Sequence, residues 1–140
     1  VLAGSVCDHP NVYTIIEDSG GVVVWDDLCT GSRYFEGTIE ENGNPVESIA
    51  ARYAERLVCP AKHLSNTARG DNIVRIVKKH DAGGVVFLLL KFCDPHDFDY
   101  PYMKEFLDRE NIPSMLLEVE DSLPSEAQLK TRFETFIHML

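Results

Sequence analysis

A chain of 140 residues and 15.8 kDa, 44% hydrophobic and 26% charged, has the size and composition of one globular domain with a full core. Its net charge of −10 argues against a general nucleic-acid binder, because a phosphate backbone demands a Lys/Arg-rich face. No apolar run reaches the ~20 residues of a membrane span and no signal-peptide pattern is present, so a cytoplasmic setting without a membrane partner is expected.

Strand-like and helical patterns alternate along the chain. Val1-Leu-Ala-Gly4 has the look of the tail of a strand already under way, without a methionine or lead-in, so residues 1–140 are expected to be the C-terminal domain of a larger polypeptide whose upstream domain is missing. A short helix follows over Asn11–Ser19, opened by Pro10 and closed by Gly20-Gly21. In the preceding loop, Asp8 is expected to cap that helix and His9 to be solvated. Val22-Val-Val-Trp25 is the second predicted strand. The long excursion Asp26–Ala82 holds two predicted helices. One begins at Asn44-Pro45 with Val46, Ile49, Ala50, Tyr53 and Leu57 on one face; the other covers Thr67–His80 and presents Ile73, Val74 and Val77. Around it Lys62, His63, Arg69, Arg75, Lys78 and Lys79 crowd together and are expected on a solvated helix face.

The uninterrupted run Val85–Leu90 is the third strand, buried on both faces and stopped by charge and proline. A helix over Phe98–Arg109 carries Phe98, Tyr102, Met103, Phe106 and Leu107 as a core stripe. Ser114–Val119 is the fourth strand, and the last helix, after Pro124, buries Leu129, Phe133, Phe136, Ile137 and Leu140. Alternating β and α elements call for right-handed crossovers and a parallel sheet with helices on both faces. The expected fold is therefore α/β, a flavodoxin-like or Rossmann-like three-layer sandwich of about four strands in order 2-1-3-4.

In such a sheet ligands bind past the carboxyl ends of the strands. That edge collects Ser5–Pro10, Asp26–Tyr34, Lys91–Asp99 and Glu118–Ser122, and with them Cys7, Cys29 and Cys93. The cysteines, spaced 22, 30 and 34 residues apart, form no C-x-x-C knuckle, so only the tertiary fold could bring them together. Cys93, directly after the buried run, is placed where a metal or reactive group would sit, and a buried structural thiol is the competing reading. Glycine-rich dinucleotide and phosphate loops and a G-x-S-x-G elbow are all absent. Asp26-Asp-Leu-Cys-Thr-Gly-Ser-Arg-Tyr34 combines carboxylates, a thiol, small residues and an arginine able to pair with an anion; Asp27 and Arg33 are its candidate substrate-binding residues, and a loop with an Asp cap and a surface arginine is the competing reading.

Taken in order, Asp26–Tyr34, Arg52-Tyr53, Cys59-Pro60, Lys91-Phe-Cys-Asp-Pro95 and Leu129-Lys-Thr-Arg-Phe-Glu-Thr-Phe136 resemble the C-terminal domain of the 2-hydroxyacyl-CoA dehydratase and benzoyl-CoA reductase family, of the 2-hydroxyglutaryl-CoA dehydratase D-component type. The resemblance implies an iron–sulfur hydro-lyase of anaerobic metabolism, built as a heterodimer with a homologous partner subunit. It also implies a 4Fe–4S cluster on three cysteines with one iron left open. An ATP-dependent activator protein would supply a low-potential electron, and the acyl-CoA substrate would lose its hydroxyl through a ketyl radical. By position Cys93 matches the C-terminal cluster ligand and Cys29 a family cysteine at the same edge. Cys59 is expected to be structural and Cys7 has no assigned role. A benzoyl-CoA-type reductase subunit and a cofactor-free interaction domain are the competing readings, and the fragment alone is expected to be inactive.

Overall fold

Val85-Val-Phe-Leu-Leu-Leu90 forms the central strand of the computed structural model, which describes residues 1–55, 59–62, 66–120 and 122–140. Strand alternation divides its side chains between two cores. Val86 and Leu88 join Leu2, Val12, Ile16, Leu117 and Phe133 on one face, while Val85, Phe87 and Leu89 join Ala3, Ile73, Met103 and Leu107 on the other. The sheet contains β1 (Leu2–Gly4), β2 (Asp26–Leu28), β3 (Val85–Leu90) and β4 (Ser114–Val119). All pairings are parallel and the order is β2-β1-β3-β4, as the alternation of elements predicts. Helices α1 (Asn11–Asp18) and α6 (Glu126–Ile137) contribute to the first core. Helices α4 (Asn66–Lys79) and α5 (Asp94–Arg109) contribute to the second. Between β2 and α4 lie α2 (Ser32–Phe35), α3 (Pro45–Glu55) and a 3-10 turn at Pro60–Lys62. Among the described residues no helix is long and apolar enough to cross a membrane.

The second strand differs from its expected position. Leu2, Ala3 and Gly4 pair with Asp26, Asp27 and Leu28, so the ladder takes in the two carboxylates and leaves Val22–Val24 ahead of it. Val22 is 73% exposed: the pairing register overrides β-branched propensity. Helix α5 begins at Asp94, four residues before its expected start, and its inward face is His96, Asp99, Met103 and Leu107. Phe98 and Tyr102, expected in the core, are exposed. The chain is turned out of β3 by Lys91-Phe92, and Pro95 sits within the first turn of α5, where its missing N–H costs nothing. Helix α3 forms as expected, but Val46, Ile49 and Tyr53 are exposed; Leu57 lies outside the described residues. At the end of α6, Ile137 is half-buried and Leu140 exposed, where a place in the core was expected. Asp8 does not cap α1; Pro10 occupies that position and the Asp8 carboxylate lies 3.5 Å from His9 Nε2.

Candidate functional site

The loop after β2 is built on Asp26. Its Oδ1 accepts hydrogen bonds from the backbone N–H groups of Ser32 at 2.7 Å and Leu28 at 3.3 Å, and the Ser32 hydroxyl donates to the Asp26 carbonyl at 2.5 Å. Gly31 is required here, because a Cβ at that position would lie 1.8 Å from Asp26 Oδ1. Cys29 therefore leaves the strand end on a braced turn, its own N–H bonded to the Ser5 carbonyl at 3.2 Å.

Asp27, opposite Ala3 in the ladder, belongs to the face covered by α4 and α5. Only 2% exposed, it meets Arg33 Nε at 3.3 Å and Arg69 Nη2 at 3.6 Å. Arg69 Nε also pairs with Asp99 of α5, and Arg33 Nη2 donates to the Gly4 carbonyl. Two carboxylates and two guanidiniums thus form a buried floor under the carboxyl edge of the sheet. Such a group is held by mutual pairing, since an unpaired charge there would be strongly destabilising. Burial pushes Asp27 up to about 6 against the opposing pull of Arg33 and Arg69. Arg33 and Asp27, the candidate substrate residues, thus pair with each other beneath the surface. Arg69, expected on a solvated face, is part of the same floor; Lys62 and His63 fall outside the described side chains.

The floor leads directly to the thiols. Cys93 is half-buried immediately before α5; its N–H bonds the Leu90 carbonyl at 3.1 Å, and its own carbonyl accepts from His96 at 2.9 Å and Asp97 at 3.0 Å. One turn into the helix, His96 is 4% exposed and its Nε2 lies 3.4 Å from Cys29 Sγ. Burial, with Arg33 and Arg69 adding to it, lowers the imidazole to about 4, so it is neutral at physiological pH. Burial likewise pushes the Cys29 thiol up; Arg33 opposes this, while Cys59 and Cys93 reinforce it. Cys29 thus meets the first turn of α5, directly after Cys93, although the two come from separate parts of the chain. Cys7 stands apart from this set: its Sγ faces the His9 carbonyl at 3.7 Å, and its N–H bonds Thr30 Oγ1.

The edge argument places Cys29 and Cys93 on one side of the sheet without fixing their approach; the structure sets Cys29 against α5 just beyond Cys93 and adds His96, Asp99 and Arg69. A signal for His96 and Asp99, though not for Arg69 on α4, lies in Asp94-Pro95, an acidic residue and a proline at a helix start. Placing the helix there puts Cys93, His96 and Asp99 at successive i, i+3 positions on one side. Among the described residues, no group of three or more His, Cys, Asp or Glu side chains is placed to hold a metal ion. A hollow of about 300 Å³ opens at the opposite, amino edge of the sheet, lined mostly by apolar residues such as Val22, Phe133, Phe136 and Leu140 together with Asp81.

Comparison with known proteins gives this site a context. A family described as 2-hydroxyglutaryl-CoA dehydratase, D-component, matches residues 1–140. The (R)-phenyllactyl-CoA dehydratase beta subunit of Clostridium sporogenes is 29% identical over 140 residues, covering 100% of this chain and 37% of that protein. The (R)-2-hydroxyglutaryl-CoA dehydratase beta subunit of Acidaminococcus fermentans is 26% identical over 145 residues, covering 100% of this chain and 38% of its own length. A benzoyl-CoA reductase subunit of Thauera aromatica is 21% identical over 140 residues, with 97% of this chain and 36% of the relative covered. The chain thus spans little more than a third of the length of these curated relatives.

Proposed function

The chain belongs to the 2-hydroxyglutaryl-CoA dehydratase D-component family, and from that premise we propose that it forms part of an iron–sulfur 2-hydroxyacyl-CoA dehydratase subunit, with Cys93 a thiolate ligand on one side of a 4Fe–4S cluster. The observation that carries the reading is the family match along the whole of residues 1–140. The position of Cys93 supports it: a half-buried thiol, on a rigid turn, at the carboxyl edge of the central strand. The donor set fits one thiolate contribution and not a complete site, since no three-ligand group is present among the described residues. The remaining ligands would come from elsewhere in the parent protein.

A cluster with one iron free of protein ligands supplies an electron and Lewis acidity to a thioester carbonyl, the chemistry needed to expel a 2-hydroxyl group. This chain's part is to hold and shield. Cys93 would anchor iron, Cys29 lines the same site, and α5 fixes both through its first turn. The Asp27–Arg33–Arg69–Asp99 floor keeps that edge rigid, and the charge of Arg33 favours the anionic form of Cys29. A homologous partner subunit, an ATP-dependent activator protein and an acyl-CoA substrate complete the proposed assembly. The beta-subunit names of the dehydratase relatives support a multi-subunit enzyme. The likeness to the benzoyl-CoA reductase subunit favours a second reading, a reductase subunit of the same family.

The test is Cys93→Ser in the full-length subunit, purified without oxygen together with its partner. Iron content should fall and turnover of a 2-hydroxyacyl-CoA should drop to background, with only a modest change in melting temperature because the thiol is half-buried. A variant with full iron and full turnover would remove Cys93 from the site. Reduction of an aromatic acyl-CoA without dehydration would establish the second reading.

A further inference from the structure

The contact between His96 and Cys29 joins two chain segments 67 residues apart. Each is rigid for its own reasons: the Cys29 turn is braced by Asp26, and the Cys93 turn by the backbone bonds that open α5. We propose that His96 is a positioning residue whose imidazole holds the Cys29 sulfur against the turn that carries Cys93. A histidine that is 4% exposed requires a partner for its ring nitrogens, and the partner given to Nε2 is this sulfur.

The contact serves either form of the thiol. A neutral imidazole accepts at Nε2 from S–H, or donates from Nε2–H to a thiolate, depending on its tautomer. One turn further along α5, Asp99 ties the same helix to Arg69, and through it to Asp27. Helix α5 is therefore fastened to the β2 edge at two polar points, and the one that ends on sulfur is His96. Apolar packing alone would permit the helix to slide or rotate by small amounts, whereas a directional hydrogen bond fixes one register. If iron binds at this edge, His96 occupies the place of the outer-layer partners that orient metal-ligating groups. Only that last consequence rests on the iron–sulfur reading.

The experiment compares His96→Leu with His96→Gln in the full-length subunit. Leucine replaces the ring with apolar volume; glutamine keeps a polar nitrogen and oxygen at a reach similar to Nε2. Iodoacetamide alkylation of Cys29 in the iron-stripped protein, with Cys7 as internal reference, should change about fivefold in His96→Leu, the factor expected for one lost hydrogen bond, faster where S–H donates to Nε2 and slower where Nε2–H holds the thiolate. In His96→Gln it should stay within about twofold of wild type if the bond is retained. In iron-loaded protein, chelator should strip iron faster from the leucine variant than from the glutamine variant. A merely space-filling histidine would leave leucine as close to wild type as glutamine, or closer, in both measurements, and that order overturns the proposal. A wild-type protein that never takes up iron would overturn the iron–sulfur reading while leaving the alkylation arm to decide the role of His96.

Discussion

At the scale of single residues, the carboxyl edge contains groups whose environment opposes their ordinary chemistry. Phe92, directly before Cys93, has φ of +66° and is 91% exposed. A β-carbon is disfavoured in the left-handed region by roughly 1 kcal/mol, and an exposed ring returns little burial in exchange. Phe92→Gly should therefore leave stability unchanged or raise it by up to about 1 kcal/mol, whereas Phe92→Ala, which keeps the β-carbon, should not raise it. Denaturant melts of both variants check this; a clear loss in the glycine variant would mean that the ring is packed in solution.

Asp27 and His96 make a second prediction, with opposite signs. The folded Asp27 binds its proton more tightly than the unfolded chain does, so its contribution to stability falls as pH rises from about 4 to about 6. The folded His96 binds its proton more weakly, so its contribution rises with pH from about 4 to about 6.5. In the wild type the two slopes overlap and largely cancel. His96→Gln removes the rising one. Relative to wild type, the variant should be more stable at pH 5 than at pH 7 by on the order of 1–2 kcal/mol. An equal difference at both pH values, measured by urea unfolding, would show that His96 titrates as an ordinary solvent-exposed imidazole.

At the scale of elements, the seam between α4 and α5 sets how the floor is assembled, because it brings Arg69 to Asp99. Gly70 permits that approach: a Cβ there would lie 2.3 Å from the Phe106 ring. Gly70→Ala is thus a contest between two terms. Alanine favours a helix interior by about 1 kcal/mol over glycine, while forcing the ring aside costs about 1–3 kcal/mol. The clash should win, giving a net loss of up to about 2 kcal/mol that Phe106→Ala in the same chain partly relieves, since that pair shares one space. A stabilised single variant would mean that the two helices lie further apart. The same elements show what the sequence could and could not reveal. β3 is legible to the residue because its long apolar run is buried on both faces, and β4 because a short apolar run is bounded by Pro113 and the acidic Glu120-Asp121. β2 is not, because three valines advertise a strand while the short β1 ladder selects Asp26–Leu28. Cys93, Cys29, Asp27 and Arg33 stand out locally as chemistry beside a strand end. His96 and Asp99 do so only through the Asp94-Pro95 helix start, and Arg69 not at all, because its role exists only once α4 and α5 cross the sheet edge.

For the whole molecule, two facts bear on what residues 1–140 can do by themselves. Each face of the sheet closes a hydrophobic core from within this chain, one around Leu2, Leu88 and Phe133, the other around Ala3, Phe87 and Leu107. Cooperative folding of residues 1–140 is therefore expected, since both layers of helices needed to cover the sheet are present. The site is a different matter. Its thiols share an edge, yet no three-ligand group is in place among the described residues, and the chain spans only 37% and 38% of the dehydratase relatives it matches. On the proposed reading, residues 1–140 should melt in a single transition, retain no stable iron–sulfur chromophore after anaerobic reconstitution, and turn over no 2-hydroxyacyl-CoA. The full-length subunit with its partner should differ in the last two respects and not in the first. Measured turnover by residues 1–140 alone, without partner or activator, would show that they complete the site unaided and that the division of ligands proposed for the parent protein is wrong.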